Sequence, residues 1–597
     1  MPISSFLRRF WPILVLVVVG FFVYFFNLNN QLFWDDDDWI INNVFVHKIS
    51  WNNIQFWLTH NTLAGVGLPS NYYRPFLFLT FAINYIIAGV KPLIWHLTNN
   101  LLHIANAILI FLLLAKFVSR RIAFLTAFIF TVHPLQTEAI TYIAGRGDPL
   151  NVFFMLLGLW FYVMGHGRRL LTYKILPLVC LVLALLSRET AIIFPFVLMV
   201  FYISFLANSR FLTSLKKALL TAAPYFGIVI VYGILRLTVL NFQNTLNFYS
   251  VANTYSESLI VRLLTFGGVL VDYLRLLFVP VGLHMERGSI VYTSLLQWPI
   301  FLVFTVLVIL AIFLIYLYRK EMRRGSQVMH SASDIQNSNF RIWFFGVGWF
   351  FVGLAPVSGI TPVNAVMYEH WLYLPMVGFF FIASVYFDRL LSFVRSRRLV
   401  VVYCLLIVAL AAYFFFFIAQ SIRRNILWGK PLEFYQDILK YEPKSTRINN
   451  NLGNLYFGQG DLEKAKQYYE KAAEGDDSFA QPHFNLGSIL ESQGDIFGAI
   501  QKYKKAIEID PDFYYAHQNL MAIYANKGDL VKAIEYVEIL KKIRSQDPRV
   551  FYNAALLYVA RGDEASALRD LRAGLEVSGS DPYAEQLIKD LLAKLGG

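Results

Sequence analysis

The run FWPILVLVVVGFFVYFF, residues 10–26, decides the class of this chain. It carries no charge and, as a helix, is long enough to cross an apolar layer of about 30 Å with little tilt. Arg8 and Arg9 precede it, and it ends on Val23-Tyr24-Phe25-Phe26-Asn27 without a small-residue cleavage site, so it reads as an anchor with a cytoplasmic N-terminus. Comparable runs follow at 93–115, 122–138, 149–165, 174–187, 190–207, 218–238, 296–318, 341–358, 372–387 and 399–419. With the first, they predict about eleven spans. Two further apolar segments, 75–90 after Arg74-Pro75 and 259–280 with Arg262, Asp272 and Arg275, read as interfacial or re-entrant. Charge at membrane depth is costly unless it is buried in protein or faces water.

Composition agrees with this reading. The 597 residues are 57% hydrophobic and 15% charged, with a mean hydropathy of +0.51. Soluble domains carry roughly 25% charged residues, so a single large water-soluble enzyme is excluded. The net charge of +13 has two explanations, a nucleic-acid footprint or a basic cytoplasmic membrane face, and its distribution decides between them. Residues 421–597 hold 23 basic and 25 acidic residues, leaving 29 basic and 14 acidic in front. With the predicted spans, 20 of those 29 basic residues fall on the cytoplasmic side and 11 of the 14 acidic ones on the opposite side. That asymmetry implies a lipid bilayer rather than nucleic acid, and an odd number of spans sends the C-terminal part outside the cytoplasm.

That C-terminal part repeats every 34 residues. Leu452, Leu486 and Leu520 keep the step, which next lands on Ala554. Gly460, Gly494, Gly528 and Gly562, each followed by Asp, keep the same phase, as do Ala465, Ala499, Ala533 and Ala567. With Leu452-Gly453-Asn454-Leu455-Tyr456 opening the first copy and Asp510-Pro511 closing the second, the pattern resembles the tetratricopeptide repeat, stacked helix pairs forming an α-solenoid. The chain therefore reads as all-α: a polytopic helical bundle over 1–420, a linker with a degenerate half repeat over 421–445, and repeats over 446–597. Such an array either captures polypeptide on its concave face or acts as a structural spacer or oligomerisation surface.

The chemistry is expected in the loop after the first span, Phe33-Trp34-Asp35-Asp36-Asp37-Asp38-Trp39. Four adjacent carboxylates raise one another's proton affinity unless a partner relieves them, and here they sit between aromatic residues at a membrane edge. The succession that follows comprises Ile40 and Asn43, Tyr73-Arg74-Pro75, His96, Asn99 to His103, His133-Pro134 with Thr137-Glu138, Gly145-Arg146-Gly147-Asp148, Arg188-Glu189, Tyr273 to Phe278 and Glu369 to Pro375. Followed by tetratricopeptide repeats, it resembles the transmembrane and tetratricopeptide repeat-containing O-mannosyltransferases and their prokaryotic relatives, which are GT-C glycosyltransferases. The resemblance covers nearly the whole chain and departs from the family at Trp39, commonly small, at Arg188, commonly Lys, and in the shortness of the repeat array.

The resemblance implies an inverting enzyme that takes a monosaccharide, mannose, from a polyprenyl-phosphate donor and passes it to a protein or glycan hydroxyl on the outer side. It also implies an acidic residue of the first outer loop as general base, so Asp36 or Asp35 is expected to be catalytic, Asp36 ahead because it lies in the middle of the matched pair. A lipid-phosphate leaving group requires cations, for which Arg74, Arg146, Arg188 and Arg275 are the outer-side candidates. Ion pairs of Arg146 with Asp148 and Arg188 with Glu189 are the structural alternative. His96, His133, Glu138, Asp148, Glu189, Glu369 and His370 are expected to contact substrate or support the site, although a membrane His, including His103, also commonly satisfies a backbone carbonyl. No metal-ligand spacing occurs and no metal site is assigned; a divalent ion at the Asp35/Asp36 loop is the one cofactor weighed.

Some classes are excluded. There is no G-x-x-x-x-G-K-[ST] loop for nucleotide hydrolysis, and Cys180 and Cys404 both lie within spans. Outer segments lack N-x-[ST] acceptors, which favours a prokaryotic plasma membrane over the endoplasmic reticulum. The alternative function is a non-enzymatic scaffold or a transporter whose repeats organise an envelope complex. A transporter, however, is expected to place its ionisable groups near mid-membrane.

Overall fold

A computed structural model describes residues 3–68, 70–168, 170–207, 211–242, 253–288, 290–323, 337–363, 365–475, 479–578 and 582–596. The chain divides into two compact units, Met1–Phe434 and Tyr435–Gly597. The described residues form helices and irregular connections, with no strand among them.

In the first unit, nine helices among the described residues are long and apolar enough to cross a membrane. They are Phe10–Asn27, Pro92–Leu114, Ala144–Gly165, Glu189–Leu206, Phe211–Leu237, Trp298–Arg323, Asn339–Val357, Met376–Ser396 and Val400–Trp428. Nine such helices stand against about eleven expected spans because two of the expected segments form shorter helices. Thr172–Leu185 has 14 residues, and Arg120–Val132 has 13 because His133-Pro134 breaks it into short turns. Pro75–Ala88 is a further short apolar helix. Leu259–Phe278 is 20 residues long but carries Arg262, Asp272 and Arg275, and is not among the nine.

The core of this unit is apolar, with Leu16, Phe130, Phe194, Phe345 and Phe381 all buried. One polar stripe runs through it on the helix Pro92–Leu114, where His96, Asn99, Asn100, His103 and Asn106 recur at helical spacing and are all buried. Such groups must be hydrogen-bonded inside. His103 meets the Tyr373 hydroxyl at 2.9 Å and the Thr131 carbonyl at 3.1 Å, and Asn106 donates to the Pro149 carbonyl at 2.8 Å. This stripe ties Pro92–Leu114 to its neighbours.

The second unit stacks helix pairs, from Thr446–Gly458 with Leu462–Gly475 to Pro548–Arg561 with Glu564–Glu576. The recurring Gly-Asp pair makes each turn. Gly460, Gly494, Gly528 and Gly562 have φ between 75° and 84°, the left-handed region that Gly enters without steric cost. The Asp that follows caps the next helix: Asp461, Asp495, Asp529 and Asp563 accept from the backbone three residues on at 2.9–3.2 Å. Ala465, Ala499, Ala533 and Ala567 are fully buried, where a larger side chain would hold the paired helices apart.

Candidate active site

The acidic run is irregular in its backbone as well as its charge. Trp34 has φ 67°, one of two non-glycine residues with positive φ among those described, and Asp37–Ile41 form a π-turn. Both conformations are uncommon for such side chains and collect at functional sites. Asn43 then caps the turn Val44–Val46 by accepting from the Phe45 N–H at 3.2 Å.

The turn sorts the four carboxylates. Asp36 is 3% exposed, and its Oδ1 accepts from the Ala144 N–H at 2.9 Å. Asp35 is half-buried and accepts a short hydrogen bond from the Tyr142 hydroxyl. Asp37 is exposed and Asp38 half-buried. Burial pushes the Asp36 carboxyl well above the usual carboxylate range, against the Ala144 N–H that favours its ionised form, and Asp35 and Asp37 push it further up. Burial also raises Asp37, helped by Asp38 and Asp35, and raises Asp38 against a hydrogen bond from Asn42.

Two of the expected cations, Arg188 and Arg74, lie in ion pairs whose partners are crossed relative to the sequence neighbours. Arg188 pairs with Asp148 at 2.7 Å and also reaches His370 Nε2 at 3.2 Å. Glu189 takes Arg74 instead, at 3.1 Å, and accepts the Tyr73 N–H at 3.0 Å. Arg74 lies over the rings of Tyr72 at 4.4 Å and Trp39 at 5.6 Å, so the large residue at position 39 supports this cation. His370 Nδ1 is 2.7 Å from Glu138, whose other oxygen accepts the Glu369 and His370 backbone N–H groups. Glu369, fully buried, is bound by Arg287 at 2.6 Å, Arg424 at 3.2 Å and the His284 N–H at 2.7 Å. Thus Arg188, Asp148, His370, Glu138, Glu369, Arg287 and Arg424 form one linked set of charges.

The other expected residues stand apart from that set. Arg146 is fully buried and bonded to neutral groups: Asn99 at 2.6 Å, the Trp95 carbonyl at 3.1 Å and Thr80 at 3.3 Å. His96 meets the Asn30 carbonyl at 2.9 Å, and His133 the Leu277 carbonyl at 3.1 Å. Arg275 is about half exposed, 3.8 Å from Asp272. Among the described residues no group of three or more His, Cys, Asp or Glu side chains is arranged to hold a metal.

Four residues of the site escaped the sequence reading: Tyr142, His284, Arg287 and Arg424. Arg424 fell in the segment read as linker, although Arg423-Arg424-Asn425 near the C-terminal end of the last long apolar helix is a visible polar signal. Tyr142 and Arg287 carry none, because an isolated Tyr or Arg in a loop is ordinary.

Comparison with known proteins adds a relationship. Tetratricopeptide repeat descriptions match residues 435–478, 450–512 and 520–592. A protein O-mannosyl-transferase of Caenorhabditis elegans is 25% identical over 484 residues, 79% of this chain and 63% of its own length. The protein O-mannosyl-transferase TMTC4 of Homo sapiens is 25% identical over 519 residues, 78% of this chain and 66% of its own length. The chain is similar to these protein O-mannosyl-transferases over most of its length. A match over 79% of the chain cannot be confined to Tyr435–Gly597, so the relationship to the O-mannosyl-transferases includes the membrane unit and its loops. The chain spans just under two thirds of the length of the worm and human O-mannosyl-transferases. Among solved structures, a crystal structure of MamA protein matches 25% of this chain and 80% of its own at 24% identity, with a TM-score of 0.23.

Proposed function

We propose that this protein is an integral-membrane, inverting glycosyltransferase. It moves a monosaccharide, mannose, from a polyprenyl-phosphate carrier to a Ser or Thr hydroxyl of a protein, with a glycan hydroxyl as the other acceptor of the same chemistry. The observation that carries this reading is the pair of unequal carboxylates at Asp35 and Asp36, in a chain similar over most of its length to protein O-mannosyl-transferases.

A general base must be ionised and within reach of its substrate. Asp35, half-buried and accepting from the Tyr142 hydroxyl, fits that role better than the buried Asp36 with its raised proton affinity. In the proposed step the acceptor O–H gives its proton to Asp35 as its oxygen bonds the anomeric carbon. The bond from that carbon to the phosphate oxygen breaks on the opposite face, and its electron pair leaves with the lipid phosphate. One displacement inverts the centre. Arg74, Arg188 and Arg287, 7–11% exposed, would meet the leaving phosphate, a planar fork suiting phosphate oxygens. Arg146, walled in by Asn99, Trp95 and Thr80, serves instead to hold the loop that carries Ala144.

The basic loops support a cytoplasmic N-terminus, and an odd number of spans an extracytoplasmic repeat unit, where the repeats present the acceptor polypeptide. The sequence features favour a prokaryotic plasma membrane. The test uses the full chain in proteoliposomes with polyprenyl-phosphate mannose and a Ser/Thr peptide. Asp35→Asn should abolish transfer while donor binding persists; wild-type transfer by Asp35→Asn would overturn the reading.

A further inference from the structure

The two halves of the Asp35–Tyr142 hydrogen bond come from different loops, and one turn of the last long apolar helix touches both. Trp428, fully buried, stacks on Tyr142 with centroids 5.7 Å apart and planes at 23°. Its other neighbours are Phe33 at 5.9 Å and Phe434 at 4.4 Å, and Phe434 meets Phe33 at 5.6 Å and Trp34 at 6.0 Å. Phe33 and Trp34 are the two residues immediately before Asp35, and Trp34 is the one in the left-handed conformation.

Asn425, one turn earlier on the same helix, repeats this double hold with polar groups. Its Oδ1 accepts from Thr141, next to Tyr142, at 2.5 Å. Its backbone carbonyl accepts from Asn30 at 2.8 Å, on the segment that leads into the acidic run, and its side chain donates to the Val23 carbonyl at 2.8 Å. All of these groups are buried, so each bond restricts rather than merely decorates the loops. Gly145 closes the other side: a Cβ there would lie 3.1 Å from the Tyr142 ring.

We propose that Trp428, with Asn425 one turn before it, is a positioning residue: it holds the Tyr142 phenol on the Asp35 carboxylate and so sets the direction in which Asp35 faces its substrate. The role rests on the reading of Asp35 as general base. Trp428 itself does not touch the reacting atoms. Its effect passes through the Tyr142 ring on one side and the Phe33-Trp34 turn on the other.

The test compares Trp428→Ala, Trp428→Phe, Asn425→Ser, Tyr142→Phe and Asp35→Asn in the full chain, reconstituted in vesicles. The first readout is independent of activity: carbodiimide labelling of Asp35 as a function of pH, mapped by peptide mass spectrometry. A carboxylate that loses a donor holds its proton to higher pH. Labelling of Asp35 should therefore extend to higher pH in Tyr142→Phe, Trp428→Ala and Asn425→Ser, and return towards wild type in Trp428→Phe. The second readout is sugar transfer from polyprenyl-phosphate mannose, where Trp428→Ala should lose roughly ten- to a hundredfold in kcat with donor KM unchanged. A Trp428→Ala or Tyr142→Phe labelling profile identical to wild type overturns the proposal. If Trp428→Ala does not fold, Asn425→Ser decides the same question. Full transfer by Asp35→Asn alongside a shifted Trp428→Ala profile would refute the base and leave the positioning intact.

Discussion

Arg188 stands 2.7 Å from Asp148 across a separation of 40 residues, and both side chains are about 10% exposed. A charge left unpaired at such burial is destabilising by about 3 kcal/mol or more. Asp148→Ala should therefore lower the thermal midpoint measured in detergent, and Arg188→Ala should lower both that midpoint and sugar transfer. A midpoint unchanged in Asp148→Ala would mean that water already screens the pair.

Asp36 makes a prediction about pH. Its proton affinity is raised in the folded chain by burial above the ordinary value of 3.8. The stability it contributes is thus complete below that ordinary value and is lost as pH rises through the folded one. Asp36→Asn keeps an oxygen for the Ala144 N–H and carries no charge. Melting followed from pH 4 to pH 9 should show wild type losing more stability than Asp36→Asn towards the alkaline end. Parallel curves would mean that Asp36 is ionised throughout.

Glu369 neutralises two arginines at once. Glu369→Ala leaves Arg287 and Arg424 facing each other without their carboxylate, and the expected loss is about 3–5 kcal/mol. Glu369→Ala combined with Arg424→Met should recover part of it, which a double-mutant cycle on thermal midpoints measures. Strict additivity would show that the two residues do not interact.

The repeat turns permit a clean backbone test. At Gly494, φ is 84° and no atom lies within 4 Å of where a Cβ would stand, so Gly494→Ala costs conformational strain alone, about 1 kcal/mol. Asp495→Ala should cost a similar amount through the lost cap on Gly498. Protease resistance of the repeats in the full chain should fall in both variants and hold in a control at exposed Phe497.

Removal of residues 446–597 separates acceptor capture from chemistry. Transfer to protein should be lost while slow hydrolysis of the donor persists. Unchanged protein labelling would make the repeats a spacer.

Much of the architecture was legible because it is written in periods. Apolar runs of helix-spanning length and a 34-residue step are local properties, readable without knowing which helix meets which. The turn chemistry was equally local: a Gly that turns left and an Asp that caps can be recognised from a dipeptide. The span count was less so, since Pro134 and the short stretch at 172–185 interrupt helices in ways a sliding window smooths over. Among the site residues, motif neighbours proved poor guides to partners. Arg188 lies beside Glu189 in the chain yet binds Asp148, because adjacent residues leave a helix start in different directions.

From its sequence alone this protein reads as a membrane-embedded helical bundle followed by a short repeat array, with an excess of basic residues in the bundle and a near balance of charge in the repeats. Those properties depend on composition and spacing, which need no tertiary contact. The tertiary structure alone made Asp35 and Asp36 unlike. Their sequence context is the same, but one side chain meets the hydroxyl of Tyr142 near solvent and the other is driven into the protein against the Ala144 amide. Proton affinity is set by burial and by the donors a fold brings near, and neither exists until distant segments have packed.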